Sequence, residues 1–541
     1  MTFGEKLENW SRAEIWEEYC GFLDLSMADY MKIQERLLME QIELLKNCAL
    51  GRRFLGNKAP ATLAEFRKTV PLTRYNDYAD ILLEKRVEML PAPPVTWCQT
   101  TWEGGGMPDK VAPYTAAMLD SIKINLFAAM ILAASDAKGS FRLRSHANAL
   151  FTLSPLPFVT GLFMQVLDSD MNFTFFPSKE ESEGMSFSKK MELGLKLAVK
   201  KGLHQVFGLS SILVTLSKKL QESWNRKGAG SSGTLGIPPG RLLRFMMIKY
   251  RCKREKRSVL PKDLFDLDVL VCGSGDSELF KSEIEADWGR RPLQIGGGTE
   301  TSCLCTEVWS KDGLVLFPDV GFYEFIPESE MQKNRKKPEY KPHVFLLNEL
   351  EVGEKYELVI TNFKGGAFVR YRTNETYRCI RIKNQRDGLD IPQFEYTGTV
   401  PSLIDVGGIT KITEREIDTI LNNSGLPIKG WVAVKEYENK DVYLHLYVEL
   451  KDDVRSRELA AMPRVIEEHS EIYFRNYDND FGFAKKMLGM NPLRVTIIAS
   501  GTLKGYAECC GDPIPRVNPG RIKIAKLLRI HEELSKGQGK P

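Results

Sequence analysis

Between residues 95 and 318 the chain alternates two textures, and this alternation restricts the fold more than any other feature. Short apolar runs bounded by Gly and Pro are VTWCQ (95–99), ALFTLS (149–154), MNFTFF (171–176), LDVLVC (267–272), RPLQIG (291–296) and LVLFP (314–318). Helical stretches over 115–135 and 185–225 lie between them. Runs this short, with no polar alternation, read as strands covered on both faces, and the intervening helices supply the covers. The spacing therefore predicts an α/β domain. Residues 1–90 read as helical, with Tyr30, Ile33, Leu37 and Leu44 along one face before the Gly51–Gly56 break, and form an expected outer layer rather than a site.

From Tyr356 the segments YELVIT (356–361), GAFVRYR (366–372) and TYRCIRI (376–382) alternate like antiparallel strands that close the large domain. Beyond Gln393 come a hairpin-like pair, WVAVKEY and VYLHLYVEL around ENKD, a helical stretch near 455–475 and a strand LRVTIIAS (493–500). The predicted organisation is a large domain over 1–398 and a smaller α+β domain over 399–541.

Several function classes lose their warrant. Lys plus Arg (75) against Asp plus Glu (71) leaves a net charge of +4, too even for a dedicated nucleic-acid binder. None of the six His stands three or four residues from another, which argues against a His-rich metal site. The ten Cys have no framework spacing, so reduced thiols in a cytoplasmic compartment are expected, with Cys303, Cys305, Cys509 and Cys510 as small hydrophobes. The longest apolar run, Leu126 to Ala134, is too short to span a bilayer, and no membrane partner is expected. No P-loop occurs, and neither GSGD (273–276) nor GGGTE (296–300) completes a dinucleotide fingerprint. NRKGAGSSGTLGIPPG (225–240) reads as a surface loop. The basic run KYRCKREKR (249–257) reads either as a patch for an acidic ligand or membrane surface or as a solvated helix face covering nearby acids.

Chemistry concentrates in four segments. QTTWEGGGMPDKVAPYT (99–115) follows a strand and offers the hydroxyls of Thr100 and Thr101, the glycines Gly104, Gly105 and Gly106, and then Lys110. That composition suits a phosphate-cradling loop or an ordinary Gly turn. In LDVLVCGSGDSELFKSEIEADWGRRPLQIGGGTET, two strand ends run into glycines at Gly273 and Gly296, which brings backbone close to a ligand at one sheet edge. Thr299 and Glu300 sit at that edge, suiting an α-phosphate and its Mg²⁺ or opening a capped helix. In GGAFVRYRTNETYR (365–378), Arg370, Arg372 and Glu375 alternate with Tyr371 and Thr373, so the acid can lie on a different strand face from one arginine, and Glu375 suits two ribose hydroxyls or a cross-strand salt bridge. The run TGTVPSLIDVGGITKITEREI (397–417) reads as a hinge, a glycine pair and a helix capped by Thr413 with Glu416.

In this order the segments resemble the adenylate-forming superfamily, and within it the auxin-responsive acyl-acid amido synthetases of plants and bacteria, this chain looking like a divergent bacterial-type relative. FRKTVPLTRYNDYADIL (66–82), LFPDVGFYEFIP (316–327), ELEVGEKYELVIT (349–361) and PQFEYTG (392–398) extend the resemblance along nearly the whole chain. The resemblance implies a large adenylate-forming domain with a C-terminal lid, and MgATP-dependent activation of a small carboxylic acid as an acyl-adenylate. Transfer to an amine such as an amino acid would follow, a thiol serving in related branches; the alternatives are an acyl-CoA ligase and a binding module that has lost catalysis. It implies that Thr100, Thr101, Gly104 to Gly106 and Lys110 hold the β- and γ-phosphates, and that Gly298 and Thr299 meet the α-phosphate. It further implies that Glu300 meets Mg²⁺, Gly273 and Ser274 pack on adenine, Tyr323 lies near the nucleotide and Glu375 grips the ribose. The resemblance also implies an acyl pocket between the helix after Thr115 and SPLPFVTGLF (154–163), whose two prolines and Phe158 suit an apolar wall or plain core packing.

Three positions depart from the family pattern. The S-S-G-T opening of the phosphate loop reads Thr100, Thr101, Trp102, Glu103; the ribose Asp reads Asn374–Glu375; and the C-terminal lysine position reads Asn518. Lys504 and Lys523 are the expected substitutes for that lysine.

Overall fold

The apolar runs become neighbouring strands because each has two faces to bury and only a continuous sheet between helices covers both. The computed structural model describes residues 1–101, 109–153, 156–168, 170–182, 185, 187–225, 239–273, 277–400, 403–406, 410–438, 441–451, 461–477, 485 and 491–538. The chain divides into two compact units, residues 1–100 with 110–398 and residues 101–109 with 399–541.

Among the described residues the larger unit holds a twelve-stranded sheet. Asn172–Phe176, His146–Thr152, Gln205–Leu209, Val269–Gly273 and Leu293–Gly296 lie side by side and parallel. Cys305–Glu307 and Leu314–Leu316 continue the sheet with antiparallel pairing, and beyond them lie Gln393–Thr399, Tyr371–Arg381, Lys355–Asn362, Gly321–Pro327 and Phe345–Leu346. This is the mixed α/β architecture that the alternation of textures predicts. The helix Ala116–Ala133, capped by Thr115, is long and apolar enough to cross a membrane by composition, yet Phe127 through Ala133 are at most 1% exposed within this unit. It is a core helix.

Three local expectations change. The stretch expected to be helical over 185–225 is two helices, Phe187–Lys201 and Ser210–Asn225, separated by the strand Gln205–Leu209. That strand pairs on both sides, and a Cβ on its Gly208 would stand 2.0 Å from Thr152 Oγ1, so its existence depends on neighbours distant in sequence. The two runs GAFVRYR and TYRCIRI are one strand, Tyr371–Arg381, preceded by a turn in which Asn362 N–H bonds Phe368 O and Gly366 N–H bonds Phe363 O. The helix Met27–Lys46 does form, capped by Ser26, but it buries Tyr30, Gln34, Leu38, Gln41, Ile42 and Leu45, while Leu44 is 40% exposed. The buried face is displaced because two glutamines clamp sheet backbone. Gln34 Nε2 donates to Pro318 O (2.7 Å) and Gly321 O (2.9 Å), and its Oε1 accepts from Tyr323 N–H (3.1 Å). Gln41 Nε2 donates to Gly366 O (3.0 Å) and its Oε1 accepts from Gly365 N–H (2.8 Å).

The smaller unit is built on Ile428–Glu438 and Asp441–Leu450, an antiparallel pair, with Leu493–Ile498 parallel to the second. One face packs Trp431, Leu444, Leu446 and Ile466 with Ile404, Ile412 and Ile417; the other packs Val432, Tyr447, Tyr506 and Leu527. Thr413 and Glu416 form the reciprocal cap of the helix Glu414–Asn423. Buried Glu449 accepts from Gly501 N–H (2.9 Å) and Leu503 N–H (2.7 Å), neutralising the amino end of the helix Thr502–Cys510.

Replacing Gln34 by Leu keeps the bulk of the side chain and deletes its three hydrogen bonds, leaving backbone groups of the sheet without partners. The expected cost is about 3 kcal/mol or more, measured as a lower urea midpoint for the full chain. An unchanged midpoint would show that apolar packing alone seats this helix.

Candidate functional site

The site grows from one turn. The parallel strands Val269–Gly273 and Leu293–Gly296 end side by side, Gly273 opposite Ile295, so both chains leave the sheet at its carboxyl edge. After Gly296 the backbone doubles back: Ser302 N–H bonds Gly298 O (2.7 Å), Leu304 N–H bonds Gly296 O (2.9 Å), and Gly298 N–H bonds Thr301 Oγ1 (2.8 Å). No helix starts at Thr299, which removes the capping alternative for Thr299 and Glu300. The glycines are required by space. Gly297 has φ +150°, and a Cβ there would fall 1.6 Å from Ser302 O; at Gly296 it would meet Cys305 Sγ at 2.6 Å. Gly298 is different, because its absent side chain faces two carboxylates, Glu300 Oε2 and Glu375 Oε1, each 3.7 Å from the point where a Cβ would begin.

Glu300 Oε1 is gripped from two sides, by Lys110 Nζ at 2.7 Å and by the Tyr371 hydroxyl at 2.6 Å. The lysine is 4% and the glutamate 12% exposed in their side chains, so this ion pair is shielded from bulk water and its Coulomb attraction is weakly screened. Lys110 Nζ also lies 5.8 Å and 6.0 Å from the ring centres of Tyr75 and Tyr371. Lys110 arrives on the strand Asp109–Tyr114, whose Tyr114 hydroxyl donates to Thr299 O (2.6 Å) and so ties this strand to the turn. Burial pushes the Tyr114 hydroxyl well above its ordinary pKa and keeps it a donor.

Glu375 reaches the same place through a bulge. Glu357 pairs with Thr376 and Val359 with Arg372, so residues 373–375 oppose Leu358 alone, and Asn374 takes the left-handed φ of +62°. Tyr371, Glu375 and Tyr377 lie on one strand face by their odd spacing, and the Tyr377 hydroxyl donates to Glu375 Oε2 (3.0 Å). Burial, reinforced by Glu375, raises the Tyr377 pKa well above the usual range. Arg370 and Arg372 point to the other face, where each makes a two-pronged bond to a buried acid, Arg370 to Glu324 (2.8 and 2.7 Å) and Arg372 to Glu357 (3.0 and 2.5 Å). The cross-strand salt bridges of this motif are therefore those to Glu324 and Glu357.

The structure thus brings together Lys110, Gly273, Gly298, Thr299, Glu300 and Glu375 around one strand-end turn. Thr100 lies on the strand Thr96–Thr101 that precedes the loop, as does the backbone of Thr101. Gly104, Gly105, Gly106, Trp102, Glu103 and Ser274 lie outside the described residues. Tyr323 is corrected. It is 1% exposed, its hydroxyl donates to Phe317 O (2.5 Å) and its N–H to Gln34, so it is a core residue with no polar atom turned toward the turn. Asn518 clamps a strand edge: at φ +45°, its N–H bonds Ala433 O (2.8 Å) and its Oδ1 accepts from Lys435 N–H (3.1 Å). In the smaller unit, Lys504 is 77% exposed and 3.7 Å from Glu508, and Lys523 is exposed in the first turn of Arg521–Gln538. The residue that sequence reasoning passed over is Tyr371. Its position two residues from Thr373 and four from Glu375 is the signal that places it on the acid's face.

Among the described residues no group of three His, Cys, Asp or Glu side chains is placed to hold a metal. Two carboxylates beside an open turn are nonetheless a donor set that suits Mg²⁺, which takes one or two carboxylates and completes its shell with water and substrate phosphates.

Residues 20–192 match the GH3 family N-terminal domain and residues 314–398 the GH3 family central domain. The jasmonoyl–L-amino acid synthetase GH3.5 of Oryza sativa subsp. japonica is 24% identical over 268 residues, covering 45% of this chain and 43% of that protein. The indole-3-acetic acid-amido synthetase GH3.3 of Arabidopsis thaliana is 27% identical over 234 residues, covering 41% and 36%. The chain thus matches less than half the length of these curated relatives. In fold it is similar to the AtGH3.15 acyl acid amido synthetase solved with 2,4-DB, with a TM-score of 0.54 at 16% identity over 96% of both chains. It is also similar to a 2-hydroxyisobutyryl-CoA ligase in its thioesterification state, with a TM-score of 0.59 at 15% identity over 88% of this chain and 87% of that one.

The turn yields a contrast between glycines. Gly297→Ala places a methyl into Ser302 O and should cost about 1–3 kcal/mol of stability, lowering the thermal midpoint. A Cβ on Gly273 meets nothing within 4 Å, so Gly273→Ala should leave the midpoint unchanged. Equal midpoints for the two variants would mean that the turn is not folded as described.

Proposed function

We propose that this chain, which matches GH3 family domains over residues 20–192 and 314–398, is an adenylate-forming enzyme that activates a small carboxylic acid with ATP and Mg²⁺ and transfers the acyl group to an amine. The observation that carries this reading is the convergence of Glu300 and Glu375 on either side of Gly298, with Lys110 held against Glu300, at the carboxyl ends of parallel strands. In the first step a carboxylate oxygen of the substrate attacks the α-phosphorus, and the bond to pyrophosphate breaks. In the second, the amine nitrogen attacks the acyl carbon and AMP leaves.

Each residue has a task in that sequence. Lys110 supplies a fixed positive charge where phosphate charge accumulates, and a site already ordered needs no reorganisation during reaction. Tyr371 and Lys110 hold Glu300 in one orientation, and Glu300 is the carboxylate that would hold Mg²⁺, which supplies charge neutralisation of the phosphates. Glu375, aimed by the bulge, accepts the ribose hydroxyls. The open Gly273 leaves room for a flat base to lie on backbone. Lys504 and Lys523 are candidates for a lysine delivered by the smaller unit acting as a lid. Eight of the ten free cysteines are buried, Cys303 and Cys305 among them, whereas Cys509 is exposed and Cys510 half-buried, so the expectation of buried small hydrophobes fails for that pair at the end of a surface helix; ten free thiols support a reducing compartment such as the cytoplasm.

Pyrophosphate release measured against a panel of carboxylic acids tests the first step, and addition of amino acids or CoA distinguishes amide from thioester formation. No release with any acid would reduce the chain to a binding module. Glu300→Gln should lower release by at least about 10²-fold and also lower the melting midpoint, because it leaves the buried Lys110 without its ion partner; unchanged release by the folded variant would remove Glu300 from the site. Glu375→Ala should weaken ATP binding by about 1.5–3 kcal/mol by calorimetry. Nucleotide affinity equal to the parent's would exclude the ribose role.

A further inference from the structure

The helix Pro239–Arg254 has no part in the site just described, and its composition is one-sided: six Lys or Arg and no Asp or Glu in sixteen residues. Its buried face is Phe245, Ile248 and Cys252. That phase leaves Leu243, Met246, Met247 and Tyr250, spaced i, i+3, i+4 and i+7, together on the outer face at 59%, 56%, 58% and 71% exposure. Large apolar side chains that stay exposed to water normally do so singly, and an aligned stripe marks a surface that meets something.

The basic residues sort by position. Arg251 and Arg257 turn inward to Asp263, each within 2.7–2.8 Å, so the expectation that the basic run covers nearby acids holds for these two. Arg244, Lys249, Lys253 and Arg254 are exposed and form no ion pair among the described residues. On a helical projection Lys249 and Lys253 flank the apolar stripe on one side, Arg244 flanks it on the other, and Arg254 extends it by a turn. The stripe runs along the outward face of one helix with basic residues on both of its flanks. A planar interface fits it: apolar side chains enter the acyl boundary while flanking Lys and Arg reach back to anionic headgroups.

We propose that this helix docks the protein reversibly on anionic phospholipid surfaces. The reading replaces the expectation of no membrane partner, because the phase of the stripe becomes visible only when Phe245, Ile248 and Cys252 fix which face is inward. The docking is independent of the ligase chemistry. One short amphipathic helix by itself gives weak, salt-sensitive binding rather than permanent attachment.

The full chain should co-sediment with vesicles of phosphatidylcholine mixed with phosphatidylserine at low salt, and not with vesicles of phosphatidylcholine alone. The double variant Met246→Glu, Met247→Glu, both positions exposed, should melt like the parent and lose binding. Lys249→Ser with Lys253→Ser should weaken it about thirtyfold. Absence of binding to the mixed vesicles, or binding unaffected by the methionine variant, would overturn the proposal. A concentration-dependent dimer in light scattering that the methionine variant dissolves would reassign the stripe to a second copy of this chain. Binding to soluble poly-glutamate as tight as to the mixed vesicles would reassign it to an acidic partner.

Discussion

The doubling back of the backbone at Gly296–Gly298 is the constraint on which the candidate site depends. A strand buried on both faces must leave the sheet and return within a few residues as the adjoining antiparallel strand Cys305–Glu307. It does so through a conformation with Gly297 at φ +150° and Ser302 O lying where a side chain would be. That path sets Thr299 O where Tyr114 can donate to it and sets Glu300 where Lys110 and Tyr371 meet it. It also leaves Gly298 bare between two carboxylates. Backbone sterics therefore decide side-chain electrostatics, and the chemistry is positioned by what cannot fit.

The second carboxylate depends on a different device. Arg370 and Arg372 are locked to Glu324 and Glu357 on the far face of the same strand, and these acids are at most 1% exposed in their side chains. Paired buried ions contribute little net stability, because desolvation offsets most of their attraction, but losing one partner costs several kcal/mol. Such pairs act as register pins. Arg370 ties the start of Tyr371–Arg381 to Gly321–Pro327, and Arg372 ties that strand to Lys355–Asn362 next to the bulge that carries Glu375. Gln34 and Gln41 do related work for the outer helix, satisfying backbone of a strand and of the turns beside the sheet that apolar residues would leave unpaired.

The helix Pro239–Arg254 sets this buried order against its opposite. Its inward face is an ordinary apolar contact, while its outward face leaves four large apolar side chains in water beside cations that pair with no described residue.

Period and punctuation determined much of this protein by themselves: the α/β class, most strands of the large sheet, the Thr413–Glu416 cap and the hairpin of the smaller unit are local, and local propensity reports them. Gly298, Thr299, Glu300 and Glu375 were legible in the sequence as candidates for one site because glycines and polar residues gather there at strand ends, and the structure sets them around one turn. Tertiary structure decided the rest. Gln205–Leu209 is a strand only because strands from elsewhere flank it on both sides, and Tyr323 is core only because Gln34 and Phe317 close over it. Tyr371 joined Glu300 only when the bulge and the turn, which pair residues about seventy apart, were both in place. A single sequence carries periodicity within about a turn or a strand of each residue, whereas these assignments depend on which distant group arrives to satisfy a hydrogen bond or occupy a volume.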